Sequence, residues 1–184
     1  MHRSVFELLE RLPQAAMLVL SATYEVIAWN DLAAALLIDF SALSRRDRNL
    51  VRYAFLGPRE GETRLPVLME EDRVAFGREV TRRLRAAAAR YPGVAEVEEL
   101  VAELLEGSAE FAELWASHDV SPEPSMGKTL RHPLVGPVTL HCNVLDISDR
   151  DQQVVIYTAE PGSPDEEALR LVSVVGTQRL TVPA

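Results

Sequence analysis

The chain has 184 residues and a net charge of minus 9, from 19 Lys plus Arg against 28 Asp plus Glu. At roughly 150 residues per domain this length makes about one domain, residues 1–184 together, with a core large enough to stand without staples, and the single Cys142 excludes an internal disulfide. An apolar share of 47% and a charged share of 26% exclude a disordered or fibrous chain, and the acidic balance gives this chain alone no overall attraction for phosphate backbones or anionic lipid.

At the N-terminus Phe6, Leu8 and Leu9 are interrupted by Glu7 and Glu10, so no signal-peptide core is legible. The longest apolar stretches are far too short to cross a bilayer. A reducing cytoplasmic location is the default expectation.

Ala16 to Ser21 and Val26 to Trp29 read as two strands of a hairpin, with a turn at Ala22 to Tyr24. Asn30 stands before an Ala/Leu-rich segment reaching Ile38, where its side chain suits an N-cap. Leu50, Val51, Ala54 and Phe55 fall at helical spacing, and Gly57-Pro58 stops that segment. Glu70 to Arg90 is a longer helix, ended by Tyr91-Pro92-Gly93. Val97, Leu100, Val101, Leu104 and Leu105 form the apolar stripe of a third, closed by Gly107, and Ser108 caps a fourth carrying Phe111, Leu114 and Trp115.

After a proline-bearing loop, Ser121 to Gly127, the texture turns to β. Thr129 to His132, Val138 to Ile147 and Val154 to Ala159 read as three antiparallel strands. Ser163-Pro164-Asp165-Glu166 is a capping box that opens a last helix through Leu169 and Val172. Two strands, a helical block, three strands and a closing helix predict an α+β fold, an antiparallel sheet of about five strands with helices covering one face.

Charge is segregated. Residues 45 to 90 carry twelve Arg against seven acids, and residues 91 to 130 carry nine acids against Lys128, the one lysine of the chain. The simplest reading is two helical segments with complementary faces; an anion site on the Arg-rich segment is the alternative.

No G-x-S-x-G, H-E-x-x-H, G-x-G-x-x-G or P-loop spacing occurs, and one Cys with four scattered His gives no metal spacing, so neither catalysis nor a metal is expected. Ser117-His118-Asp119 cannot turn its consecutive side chains into a triad, and His118 and Asp119 read as a helix terminus. His132 and His141 lie on adjacent predicted strands and so could share a face, either as satisfied structural histidines or lining a pocket. Cys142 reads as a small core hydrophobe. Trp29 and Trp115 read as core anchors or pocket walls, and Phe55 and Phe111 join them as expected buried aromatics. Arg48-Asn49, at a helix start, reads as an anion site or as a surface Arg beside a capping Asn.

These words in this order resemble the MmyB-like transcription regulator ligand-binding domain: Val26 to Asn30, Arg48-Asn49 with Phe55-Leu56, and Leu84-Arg85. The likeness continues through Leu100-Val101, Glu103-Leu104, Ser108 with Glu110-Phe111, Leu114-Trp115-Ala116, and His118 with Val120. It ends with Lys128, His132-Pro133 with Val135-Gly136, and Val155 to Thr158 with Pro161-Gly162-Ser163. One position departs: the family usually has Asp-Trp at the start of the long helix, where this chain has Asp72-Arg73 and so lacks that wall. The resemblance implies a PAS-like fold that senses a small, fatty-acid-like ligand and acts through a helix-turn-helix DNA-binding domain. No helix-turn-helix precedes Leu12, so DNA contact is expected through an attached or partner domain.

The leading expectation is therefore a ligand-sensing regulatory domain without enzymatic activity or cofactor. Its apolar cavity would lie between sheet and helices, lined by Trp29, Asn30, Phe55, Trp115 and His141, with the head group of an acyl ligand near Arg48, Asn49 or His132. The alternatives are a structural dimerisation module with a filled interior, in which the chain pairs as a homodimer, and a PAS sensor bearing haem or flavin. A hydrolase is the remotest, since no nucleophile has an identifiable base.

Overall fold

The computed structural model describes residues 3–57, 67–68, 70–117, 127–147 and 150–180. The chain begins with helix α1 (Arg3–Arg11), followed by the predicted hairpin of β1 (Ala16–Leu20) and β2 (Val26–Trp29). Next come α2 (Asp31–Leu36), a 3-10 turn at Phe40–Ala42, and α3 (Leu50–Leu56). A two-residue strand β3 (Val67–Leu68) leads to the long α4 (Glu70–Arg90), then α5 (Ala95–Gly107) and α6 (Ala109–Ser117). The C-terminal part is β4 (Gly127–His132), β5 (Gly136–Ile147), β6 (Gln152–Thr158) and α7 (Pro164–Leu180).

All strands join one antiparallel sheet in the order β2-β1-β6-β5-β4-β3. The five expected strands are present. The sixth, β3, is an edge addition of two residues, too short to carry a period-2 signal. The other departure from expectation is α1, whose charged texture hides a helix that buries Leu9.

Strand alternation divides the core. Leu18, Leu20, Val26, Val155 and Tyr157 face α2 to α7 and build the main cluster, with Phe111, Leu104, Leu84 and Val172 from the helices. Met17, Val19, Ala28 and Val154 point the opposite way, onto Leu9 and Leu12. Because successive side chains of a strand take opposite faces, the fully buried run of β1 serves both clusters. Helices thus cover one face as expected, and α1 shields part of the other.

Local chemistry sets the element ends. Asn30 Oδ1 accepts from Ala33 N at 3.0 Å, Asn49 Oδ1 accepts from Val51 N and Arg52 N at 3.0 Å each, and Ser108 Oγ accepts from Phe111 N at 3.2 Å. Gly57 closes α3 at φ 72°, a left-handed conformation open to glycine without penalty. The capping box of α7 forms with one change: Glu166 N donates to Ser163 Oγ at 3.2 Å, whereas Glu166 Oε2 accepts from Gly162 N at 2.9 Å instead of from Ser163 N.

The segregated charges meet across the helical block. Glu103 of α5 accepts from Arg46 and from Arg52 of α3, Glu110 of α6 pairs with Arg73 of α4 at 3.0 Å, and Glu96 lies 3.6 Å from Arg45. Arg85 Nη2 donates to the Leu114 and Trp115 carbonyls at 2.9 and 2.6 Å in the last turn of α6, where Leu114 O also accepts from Ser117 Oγ at 2.8 Å. The Arg-rich and acidic segments are therefore complementary helix faces.

Candidate functional site

Three of the expected site residues are committed to the fold. Asn49 is buried; beyond its two capping bonds its Nδ2 donates to Thr23 O at 2.7 Å, which ties the β1–β2 turn to α3. Asn30 Oδ1 also accepts from Met17 N at 3.0 Å while its Nδ2 donates to Ala15 O at 2.8 Å, so one amide joins β1, β2 and α2. Arg48 donates from Nε to Leu43 O at 3.1 Å and lays its guanidinium 5.2 Å from the centre of the Trp29 ring.

The histidines do not share a face. His132 pairs with Gly136 and His141 with Gly127, at opposite ends of the β4–β5 ladder and on opposite sides of the sheet. The buried His132 accepts on Nδ1 from Leu134 N at 3.3 Å, leaving Nε2 to donate to Ala35 O at 3.1 Å. His141 is exposed, with Nε2 3.2 Å from Glu160 Oε2. His118 and Asp119 lie outside the described residues.

Of the four aromatics expected to be buried, Phe111 is fully so, whereas Trp29, Phe55 and Trp115 sit half-buried at the edge of the main cluster. Phe55 meets Phe111 edge-on with ring centres 5.1 Å apart, and Trp115 stacks on Phe111 at 5.4 Å. These contacts spend the aromatic faces on one another. Trp29 and Asn30 border an open hollow of about 480 Å³ with Glu10, Pro13 and Ser173, away from Phe55 and Trp115.

An apolar cavity of about 200 Å³ does open between the sheet and the helical block. Leu50, Tyr53 and Ala54 of α3 form one wall, Leu130 and Tyr157 the sheet floor, and Leu37, Leu68 and Phe76 the rest. Two cations reach it. Lys128 Nζ rests 4.8 Å from the centre of the Phe76 ring, and Arg73 lies between the cavity and Glu110. Asp72 accepts from Thr129 N at 2.9 Å, which fastens the start of α4 to β4 over this space. Burial, reinforced by Cys142 across the strand pair, pushes the Tyr157 hydroxyl well above its ordinary range, so the floor carries a neutral hydroxyl and no charge.

None of the eight expected site residues lines this cavity. Those that do were visible in part: Lys128 as the one lysine, and Arg73 as the residue standing where the family usually has Trp. Among the described residues no cluster of His, Cys, Asp or Glu could hold a metal ion, and no helix is long and apolar enough to cross a membrane.

No curated protein matches the chain. The family model of the MmyB-like transcription regulator ligand binding domain matches residues 1–172, which takes in the sheet, the helical block and both cations at the cavity. The chain belongs to that family of regulatory ligand-binding domains, which is not a class of enzymes.

Proposed function

We propose that the chain senses a medium-length acyl ligand, whose hydrocarbon enters the cavity between α3, α4 and the sheet while its carboxylate stays beside Lys128 and Arg73. The observation that carries this reading is the pairing of apolar walls with two cations at one cavity. A volume of about 200 Å³ lies below the ~300 Å³ at which pockets for drug-sized ligands begin, and this favours a medium over a long chain. Each buried methylene contributes about 0.8 kcal/mol, so six of them supply about 5 kcal/mol before ordering costs, with the cations adding orientation. Binding would select one position of the N-terminal part of α4, passed on through the Asp72–Thr129 and Arg73–Glu110 contacts to β4 and α6. A DNA-binding domain, attached or in a partner, would read that change in the cytoplasm.

Calorimetry on lipid-stripped protein with saturated fatty acids of increasing length tests this. Affinity is expected to rise with length and then level off when the cavity is full, and Ala54→Trp is expected to abolish it. Affinity that ignores chain length, or persists in Ala54→Trp, would overturn the reading and favour the dimerisation module.

A further inference from the structure

The opposite end of α4 borders a second cavity, which shares no lining residue with the first and has about 400 Å³ against about 200 Å³. From Phe76 at the apolar cavity to Arg83 at this one is about 10 Å along the helix, at ~1.5 Å per residue. Its walls are the β1–β2 turn with Tyr24, the last turns of α4 with Arg83 and Arg90, and the β5–β6 hairpin. The chemistry is the reverse of the first cavity's. Two guanidinium groups and two carboxylates line it, Arg83 lying 3.3 Å from Asp146 and Arg90 2.5 Å from Asp151.

One atom there lacks what it needs. Gln152 Oε1 is buried and has no hydrogen-bond partner, and it is the one buried side-chain polar atom among the described residues in that state. A buried acceptor without a donor is costly, and Gln152 is a lining residue, so a turn of its amide would offer the oxygen to an N–H or O–H group in the cavity. Gln153 Nε2 donates to Asp146 at 2.8 Å and holds that carboxylate at the rim. Burial pushes the Tyr24 hydroxyl far above its ordinary range, which keeps it a neutral donor.

We infer that this cavity is a second binding site, for a small zwitterion of free amino-acid type. With the lining charges balanced two against two, a simple anion would face Asp146 and Asp151, and a simple cation would face Arg83 and Arg90. A zwitterion satisfies both signs: its carboxylate meets Arg90 and the Nη groups of Arg83, whose Nε is held by Glu79, and its ammonium meets Asp146, Asp151 and, once the amide turns, the Gln152 oxygen. The exposed ion pairs already present are weak enough to be exchanged for such a ligand. Ala86, Ala87 and Ile147 leave an apolar strip for its side chain.

Calorimetry of the full 184-residue chain against the standard free L-amino acids tests the assignment. At least one is expected to bind, its N-acetyl form and its amide at least about tenfold more weakly, the scale of one lost charge-assisted hydrogen bond. Arg90→Gln and Gln152→Leu are each expected to weaken it about tenfold while leaving fatty-acid binding unchanged, which separates this site from the acyl cavity. No binding by any amino acid, or equal binding of the blocked forms, would overturn the inference. So would binding that both variants leave intact; the blocked ligands decide the matter on the unaltered chain if a variant fails to fold.

Discussion

The Asn30 and Asn49 region and the cavity beneath the start of α4 both place polar groups beside apolar walls, yet they use them oppositely. Every hydrogen-bonding atom of the Asn49 amide side chain has a backbone partner, and Asn30 is similarly engaged. At the cavity Lys128 rests on an aromatic face and Arg73 on a half-exposed carboxylate. The first arrangement fixes chain segments to one another. The second leaves charge that a ligand can recruit at little cost to the fold. A polar residue beside a pocket therefore has to be judged by how much of its bonding is already taken.

The largest effect expected from this contrast is that of Asn49→Ala. It removes the α3 cap and leaves the Thr23 carbonyl without its donor, so denaturant unfolding should show a loss of about 2 to 4 kcal/mol. A loss under about 1 kcal/mol would erase the distinction. Asn30→Ala should follow at about 1 to 3 kcal/mol, since Asn30 is itself half-buried where Asn49 is buried.

Acid should loosen the helical block before the sheet. Burial raises the Glu103 carboxyl, but the hydrogen bonds from Arg52 and Arg46 outweigh it and hold the group below its usual range; Glu79 is held down in the same way by Arg83 and Arg82. A carboxylate depressed in the folded state contributes its stability above the unfolded value, near 4.5, and loses it as pH falls through the folded value. Melting temperature should therefore drop below about pH 4.5, and Glu103→Gln should flatten that drop while lowering stability at neutral pH.

Smaller still, Arg48→Ala should cost no more than about 1 kcal/mol, the scale of a half-exposed cation–π contact and one carbonyl bond, and should leave fatty-acid affinity unchanged. Lys128→Met should leave stability within about 0.5 kcal/mol and weaken fatty-acid binding by less than about tenfold, as expected where hydrocarbon burial dominates. Calorimetry on the two variants in parallel sharpens the contrast, because Arg48 as the stronger determinant would return the head group to the start of α3.

Element ends were legible because their causes are local. An Asn before an apolar run, a Ser-Pro-Asp-Glu box and a Gly after the last helical turn each act within about four residues. β3 was not, because two residues carry no period-2 signal and their strand character comes from pairing with β4, a partner distant in sequence. The histidines illustrate the same limit: their strands are legible in the sequence, but register alone decides that His132 and His141 stand at opposite ends and faces.

By itself the sequence determined the order of elements other than α1 and β3, their caps, the charge complementarity of the Arg-rich and acidic segments, and the family to which the chain belongs. Those properties rest on periodicity, short-range hydrogen bonding and net composition. Tertiary structure alone decided where space remains. The cavity walls come from α3, α4, β3, β4 and β6, segments up to about a hundred residues apart, and a void is the residue of their packing that no single segment encodes. Hence Arg73 and Lys128, noticed in the sequence only as an exception and a singleton, come together at the cavity, while Arg48 and Asn49 are drawn into the fold.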